Sequence, residues 1–133
     1  MNSKLIILPF LGWFTLVGCN VQTTKDGEGF DCGAIETPAL VIDVYDKETG
    51  LALLCGVTVS IRDGDFTQEQ SMGEGEDCVT NIADAFSLAR DREGQYDITV
   101  MKEGYVDWVQ YDTVVSSNIC TVNTIRVQAY MDK

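Results

Sequence analysis

Cysteine and carboxylate side chains are the residues of this sequence that could do chemistry. The chain contains five cysteines, Cys19, Cys32, Cys55, Cys78 and Cys120, together with 21 Asp and Glu residues and no His. Without His, the chain has no Ser-His-Asp or Cys-His catalytic set, no HExxH zinc site and no His-ligated iron. The chemistry left to it is modification or oxidation of thiols, cation binding by carboxylates, or acid-base catalysis by a carboxylate pair.

Length and charge narrow the class of protein. The 133 residues fit a single domain, and 45% hydrophobic with 23% charged residues is the composition of a folded chain. The formal net charge is −12. Nucleic-acid binding depends on Lys and Arg replacing the counterions of phosphates, so neither DNA nor RNA is expected as a partner.

The first 18 residues have the pattern of a cleaved secretory signal. Lys4 precedes an uncharged run over residues 5–18. As a helix this run would be about 21 Å long, shorter than the hydrocarbon core of about 30 Å. Pro9 and Gly12 weaken a permanent membrane-spanning helix further. The segment therefore predicts export.

The end of this segment, Leu16-Val17-Gly18-Cys19, resembles the bacterial lipobox. The resemblance implies that Cys19 becomes the lipidated first residue of the mature chain and holds the protein on a membrane. Asn20 stands where an Asp would favour the inner membrane, so the resemblance implies the outer membrane. The alternative is that Cys19 is an ordinary thiol in an uncleaved anchor.

The four remaining cysteines predict two disulfides. Export places them in an oxidising compartment, where an even number of cysteines is usually paired. Free buried thiols and an all-thiolate metal site remain alternatives, and four cysteines allow three pairings. Between Cys19 and the folded domain, residues 19–37 are rich in Thr, Asp, Glu and Gly, which indicates a flexible tether.

From residue 38 to residue 133 the pattern is that of an all-β domain. Apolar and polar residues alternate with period two, which is typical of half-buried strands. Residues 78–89 fit either a helical turn or a strand over residues 85–88, and the strand is favoured. Residues 66–77 predict a long exposed loop. Short strands separated by turns predict an antiparallel β-sandwich. The predicted strands are residues 40–45, 57–62, 96–101, 105–115 and 125–130.

The order of motifs resembles the carboxypeptidase regulatory-like domain. The motifs are ALVIDVYDKETG, VTVSIRDG, GQYDITVMKEGYVDW and CTVNTIRVQAYM, within residues 38–131. The resemblance implies a seven-stranded transthyretin-like (prealbumin-like, Ig-like) sandwich whose first and last strands run parallel side by side. That arrangement would bring Cys32 near Cys120 and leave Cys55 for Cys78. It also implies an accessory module without catalysis or cofactor, acting in interaction with an envelope protein or in structural support.

A cation or saccharide site on the predicted acidic loop is the alternative function. Hard cations such as Ca²⁺ bind several carboxylate oxygens on flexible backbone. A solvated loop without ligand is the favoured explanation of the acidic residues. The candidate residues are Asp63, Asp65, Glu69, Glu74, Glu76 and Asp77.

Three aromatic residues between residues 105 and 111 could form a binding strip for a glycan or peptide. Tyr105, Trp108 and Tyr111 are three residues apart. On a regular strand Tyr105 and Tyr111 would share one face and Trp108 would lie on the other. The spacing therefore predicts packing roles, without a strip of all three rings.

Two carboxylate pairs have the residue types of a glycosidase acid and nucleophile. These are Asp43 with Asp46, and Asp91 with Glu93. Such chemistry also needs a cleft and an acid with a raised pKa. The sequence indicates neither, so no enzymatic activity is expected.

Overall fold

The computed structural model describes residues 32–74 and 85–133. Predictions for the signal segment, the lipid site Cys19, the tether before Cys32, and the residues Glu76, Asp77 and Cys78 lie outside the described residues. No helix in the described part is long and apolar enough to cross a membrane. The strands are β1 (Pro38–Asp46), β2 (Val57–Asp63), β3 (Phe66–Ser71), β4 (Phe86–Arg90), β5 (Gly94–Lys102), β6 (Trp108–Val115) and β7 (Ile125–Met131).

The strands form two sheets in a sandwich-like arrangement, which confirms the all-β prediction. One sheet has the order β4-β1-β7 and the other the order β3-β2-β5-β6. The four-stranded sheet is antiparallel throughout. In the three-stranded sheet, β1 is antiparallel to β4 and parallel to β7, so the expected parallel contact of the first and last strands is confirmed.

Period-two alternation decides which side chains face the core. Leu40, Ile42 and Val44 of β1 are buried, whereas Asp43 and Tyr45 between them point outwards. The same alternation operates in the other inner strands, because successive side chains of a strand point to opposite faces. The largest fully buried side chains are Tyr96, Phe86, Leu40, Ile42, Ile61, Leu88, Ile98 and Met131.

The predicted loop over residues 66–77 is wrong in its first half. Residues 66–71 form strand β3, which pairs with β2 from Asp63 opposite Phe66 to Thr58 opposite Ser71. Gln68 and Gln70 occupy the half-buried positions of this strand. Because polar residues take the inward positions, the apolar half of the alternation was absent from the sequence.

Of two other strand predictions, one is confirmed and one is wrong at its start. The strand favoured over residues 85–88 is confirmed as β4. The strand predicted from Tyr105 is wrong at its start, because β6 begins at Trp108. The residues between belong to a turn in which Gly104 has φ +83°, a left-handed conformation that glycine adopts without steric cost.

A candidate interaction surface on the three-stranded sheet

The outer side of the three-stranded sheet gathers polar and aromatic side chains from its two longer strands. Asp43 and Tyr45 project from β1, and Arg126, Gln128 and Tyr130 project from β7. These five residues define what we call the β1–β7 face. Alternation in each strand puts them on this side, and the parallel register places Gln128 opposite Asp43 and Tyr130 opposite Tyr45.

The charges on this face neutralise each other. The Arg126 guanidinium donates from Nε to Asp43 Oδ2 at 2.6 Å and from Nη2 to Asp43 Oδ1 at 2.8 Å. This two-pronged contact raises the pKa of Arg126. The Asp43 side chain is only 13% exposed, whereas that of Arg126 is 66% exposed and keeps its planar surface accessible. The β1–β7 face therefore carries no net charge, although the protein as a whole is strongly acidic.

Two tyrosines stack beside the ion pair. The ring centroids of Tyr45 and Tyr130 are 5.2 Å apart and the ring planes differ by 23°. The contact follows from the register, since directly opposite residues on adjacent strands bring their side chains together, and it contributes about 0.2–1 kcal/mol. Tyr130 is 45% exposed and belongs to an edge strand, so no strand covers the side of its ring away from Tyr45.

Hydrogen bonds at the end of β7 and just after it show which backbone groups of β7 face away from β1. The N–H of Lys47, just after β1, donates to the carbonyl of Met131 at 3.0 Å. The carbonyl of the next residue, Asp132, accepts from the N–H of Val106, in the β5–β6 turn, at 2.8 Å. Successive backbone groups of a strand point to opposite sides. Odd-numbered residues of β7 therefore face β1, and even-numbered residues face the free edge.

The side chains of Arg126, Gln128 and Tyr130 therefore lie on the β1–β7 face, and the backbone N–H and C=O groups of the same residues point to the free edge of the sheet. Within the described residues β7 pairs with β1 alone. An unpaired row of N–H and C=O groups is a template for another strand. We call this row the β7 edge.

Two of the three other edge strands, β6 and β4, are each protected in a way that β7 is not. In β6, Asp112 has φ +57° and its N–H donates to the Asp97 carboxylate, beside a register shift in the β5–β6 pairing. In β4, which has five residues, Ala89 has φ +52° and its N–H donates to Gln68 Oε1 of β3. Bulges, short length and side-chain cover are known devices against edge pairing. β7 is regular over its seven residues.

One predicted carboxylate pair is divided by the sheet. Asp43 points outwards, whereas Asp46, three residues on, points inwards and is 4% exposed. Asp46 accepts the Tyr105 hydroxyl at 2.7 Å, the Thr49 N–H at 2.9 Å and the Lys133 ammonium at 3.0 Å. These donors, the Tyr105 hydroxyl first, hold the pKa of Asp46 far below its usual range, and the carboxylate in turn raises the pKa of Tyr105. The arrangement stabilises the ionised form of this carboxylate.

The other pair, Asp91 and Glu93, lines a cleft of about 290 Å³ next to Cys120. Asp91 accepts hydrogen bonds from the Thr37 N–H at 2.9 Å and from the Thr121 hydroxyl at 3.2 Å. Glu93 accepts the hydroxyl of Ser117. Both carboxylates thus connect neighbouring loops to the start of β5.

The described residues of the predicted cation site lie apart from one another along the β2–β3 hairpin. Asp63 and Asp65 lie at the β2–β3 turn, and Asp63 is paired with Arg92 at 2.7 Å. Glu74 lies beside Gly56 at the opposite end of β2, and Glu69 projects from β3 between them. Among residues 32–74 and 85–133, no group of three or more His, Cys, Asp or Glu side chains could hold a metal ion.

Tyr105, Trp108 and Tyr111 do not form a single strip, as their spacing predicts. Tyr105 and Trp108 pack against the core, and Tyr111 alone is exposed, at 69%. The expected common face for Tyr105 and Tyr111 is wrong, because Tyr105 lies in the turn before β6, where strand alternation does not apply. The aromatic pair on an outer face is instead formed by Tyr45, which is half-buried, and Tyr130, which is exposed. These two residues are distant in sequence.

Cys32 and Cys120 are joined in a disulfide with a Cα–Cα distance of 5.0 Å across 88 positions of sequence. The pairing implied by the sequence resemblance is thereby confirmed for this bond. Cys55 is also disulfide-bonded. Its expected partner, Cys78, lies outside the described residues.

Comparison of the chain with protein-family models, with curated proteins and with solved structures finds no match.

Proposed function

We propose that this protein is a lipid-anchored module of the cell envelope that binds another protein through the β7 edge and performs no catalysis. The observation that carries the proposal is a regular edge strand, paired on one side only among the described strands, whose outer face has no net charge and carries two stacked tyrosines. Addition of an extended segment to a sheet edge is a common mode of recognition, in which backbone hydrogen bonds supply affinity and side chains supply specificity.

The proposal includes a transthyretin-like fold of the carboxypeptidase regulatory-like kind. Seven strands in sheets of three and four support it, as does the parallel contact of β1 with β7. The disulfide between Cys32 and Cys120 is compatible with an exported protein.

The anchor in this proposal is the lipid on Cys19. Cys32, where the disulfide fastens the chain to the domain, lies 13 positions after Cys19. A flexible chain of this length has a root-mean-square span of about 20 Å. The module would therefore stand close to the membrane while its β7 edge remained open to neighbouring envelope proteins.

The anchor is tested by intact mass of the protein recovered from bacterial membranes after expression with its own signal. We expect a chain that begins at Cys19 and carries acyl groups, and a Cys19→Ala variant that lacks them. A wild-type chain that begins at Met1 without lipid would overturn the anchor.

The binding role is tested by placing a photo-crosslinking benzoylphenylalanine at Tyr130 in cells that express the lipoprotein. We expect illumination to join the chain to a discrete protein partner at this position. The matched control carries the same residue at Thr99 of β5, on the outer face of the other sheet in an inner strand. Equal crosslinking at both positions, or none at Tyr130, would contradict the proposal.

A further inference from the structure

The end of the sandwich that carries the disulfide presents two isoleucines to solvent. Ile35 is 79% exposed and Ile119 is 77% exposed, more than any other large apolar side chain in the described part of the chain. The Ile119 carbonyl oxygen lies 3.7 Å from Cys32 Sγ, and Ile35 lines an open cleft of about 550 Å³ together with Cys32 and Cys120. Both isoleucines therefore lie next to the disulfide, and we call them the Ile35–Ile119 patch.

The backbone holds Ile119 in its exposed position. Ile119 is the second residue of a turn in which the Asn118 N–H donates to the Thr121 carbonyl at 2.7 Å. The Asn118 side-chain oxygen also accepts the N–H groups of Cys120 and Thr121, each at 2.9 Å. Side-chain hydrogen bonds of this kind fix the conformation of a turn. The exposure of Ile119 is therefore a property of a defined turn.

Ile35 is held between two attachments of its own segment. On one side of it, the disulfide fastens Cys32. On the other side, the Thr37 N–H donates to the Asp91 carboxylate at 2.9 Å, and the Asp91 N–H donates to the Thr37 carbonyl at 2.9 Å. The fold thus keeps two large apolar side chains in water at one place, although their burial would be favourable.

The anchored part of the chain approaches the domain at this same end. Cys32, beside the patch, lies 13 positions after Cys19. A short flexible linker maintains an effective concentration in the millimolar range, so a contact too weak to bind a free protein can still form in a tethered one. The surface that a lipid on Cys19 brings nearest to this end is the membrane itself.

The charges around the patch indicate which kind of lipid surface fits it. Three carboxylates, Glu36, Asp91 and Glu93, belong to this end. Glu36 lies 3.8 Å from Arg90, whereas Asp91 and Glu93 accept hydrogen bonds from neutral donors. Anionic lipid would repel them and the strongly acidic chain as a whole. A surface of neutral, zwitterionic phospholipid suits both the apolar side chains and their acidic surroundings.

We propose that the Ile35–Ile119 patch contacts the neutral phospholipid surface of the membrane that holds the anchor. This inference rests on the proposed function, because the lipid on Cys19 keeps the domain near that surface. Strands β1 and β7 both begin at this end and run parallel. The contact therefore directs both strands away from the membrane, and the β7 edge remains open to neighbouring envelope proteins along its length.

The orientation is tested by tryptophan quenching in the lipidated protein, reconstituted into vesicles of phosphatidylcholine with brominated acyl chains. The test variants are Ile35→Trp and Ile119→Trp. The matched controls are Leu51→Trp and Val106→Trp, at positions 67% and 62% exposed at the opposite end. Trp108, which packs against the core, is common to all four proteins. The introduced ring has the same affinity for lipid at every position, so a difference in quenching reports orientation.

We expect the fluorescence lost relative to unbrominated vesicles to be at least about two-fold greater for the two patch variants than for the two controls, because interfacial apolar side chains reach the acyl boundary. Equal quenching at both ends, or none at the patch, would overturn the inference. Phosphatidylglycerol in the vesicles should reduce quenching at the patch, and an increase would overturn the assignment of a neutral surface.

Two further measurements separate this inference from the proposed function. Intact mass establishes whether the reconstituted chain carries lipid. If it does, equal quenching at both ends refutes the membrane contact and leaves the anchored module intact; a chain without lipid refutes both. A photo-crosslinking benzoylphenylalanine at Ile119 is expected to form lipid adducts in cells. A discrete protein adduct in their place would identify the patch as a protein-binding surface and overturn the inference.

Discussion

Strands β1 and β7 are held together at both ends of the sandwich, by a covalent bond at one end and by ionic and hydrogen-bonding contacts at the other. At one end, Cys32 before β1 is bonded covalently to Cys120 before β7. At the other, Asp46 at the end of β1 binds Lys133, just after β7, together with Tyr105 from the β5–β6 turn. The first fastening responds to reductant and not to acid, and the second responds to acid and not to reductant. Each end can therefore be weakened separately.

The largest effect is expected from removal of the covalent fastening. Replacement of both Cys32 and Cys120 by Ser opens a loop of 88 positions and increases the entropy of the unfolded chain. We expect the free energy of unfolding to fall by about 4 kcal/mol, measured by denaturant titration.

The loss should be independent of pH, because no ionisable group is involved. Ser117→Ala, in the same loop, serves as the control and should change stability far less. A loss below about 1 kcal/mol for the double variant would contradict the assignment of this bond as the main fastening of that end.

The second-largest loss of stability is expected from removal of the Asp46 carboxylate at the other end of the sandwich. The pKa of Asp46 in the folded protein lies far below the value near 3.9 of an unfolded chain. A depressed folded-state pKa stabilises the protein above the unfolded-state pKa, and this stabilisation is lost as pH falls. Asp46→Asn should therefore destabilise the protein clearly at pH 7, and the difference from wild type should shrink from about pH 4 downwards.

Denaturant titrations at several pH values measure this difference. Asp65→Asn, in the exposed β2–β3 turn, is the matched control and should give a small difference at neutral pH. A difference for Asp46→Asn that does not change between pH 7 and pH 3 would argue against ionisation as the source of its stabilisation.

A smaller effect should follow from loss of a single donor. Tyr105→Phe keeps the ring against the core but removes the hydroxyl that Asp46 accepts at 2.7 Å. Lys133 and the backbone donors remain, so the loss of unfolding free energy should be less than for Asp46→Asn.

The stability of Tyr105→Phe should also differ from that of the wild type in its dependence on pH above pH 10. The pKa of Tyr105 is raised by its hydrogen bond to Asp46, so this tyrosine stabilises the fold below its unfolded-state pKa near 10 and loses that effect as pH rises further. The wild type should therefore lose more stability than Tyr105→Phe above pH 10. Parallel alkaline unfolding curves for the two proteins would contradict this expectation.

The smallest effect is expected at the exposed ion pair of the same end. Lys47 and Asp132 are 2.7 Å apart, but both side chains are 58% exposed. Solvent and salt screen such a pair, so Asp132→Asn should change the free energy of unfolding by less than about 0.5 kcal/mol. A larger change would mean that the hydrogen bond from Val106 to the Asp132 backbone is disturbed as well.

Strand positions were predictable where one face of the strand is apolar. In β1 and β5, alternation of residues such as Ile42 and Ile98 with polar neighbours reveals both the strand and its buried side. β3 escaped prediction because Gln68 and Gln70 hold its inward positions, and pairing with β2, not a local pattern, makes it a strand. The start of β6 was missed because the turn at Gly104 carries Tyr105 off the strand.

The candidate surface was predictable only in part. Alternation already indicates that Tyr45 and Tyr130 point away from the core. It does not indicate that they stack, because their contact depends on which strands are neighbours and in which register. The Asp43–Arg126 pair is hidden for the same reason. Nearness in sequence suggests Asp46 as the neighbour of Asp43, whereas the two carboxylates point to opposite faces of the sheet.

By itself, the sequence determined the class of this protein. Period-two alternation specifies an all-β domain, and the absence of His excludes many catalytic sites, since both depend only on residue type and spacing along the chain. The tertiary structure alone decided that, among the described strands, β7 pairs with β1 only and lies at an edge of its sheet. Strand order and register arise from contacts between residues far apart in the chain, and local pattern does not encode them.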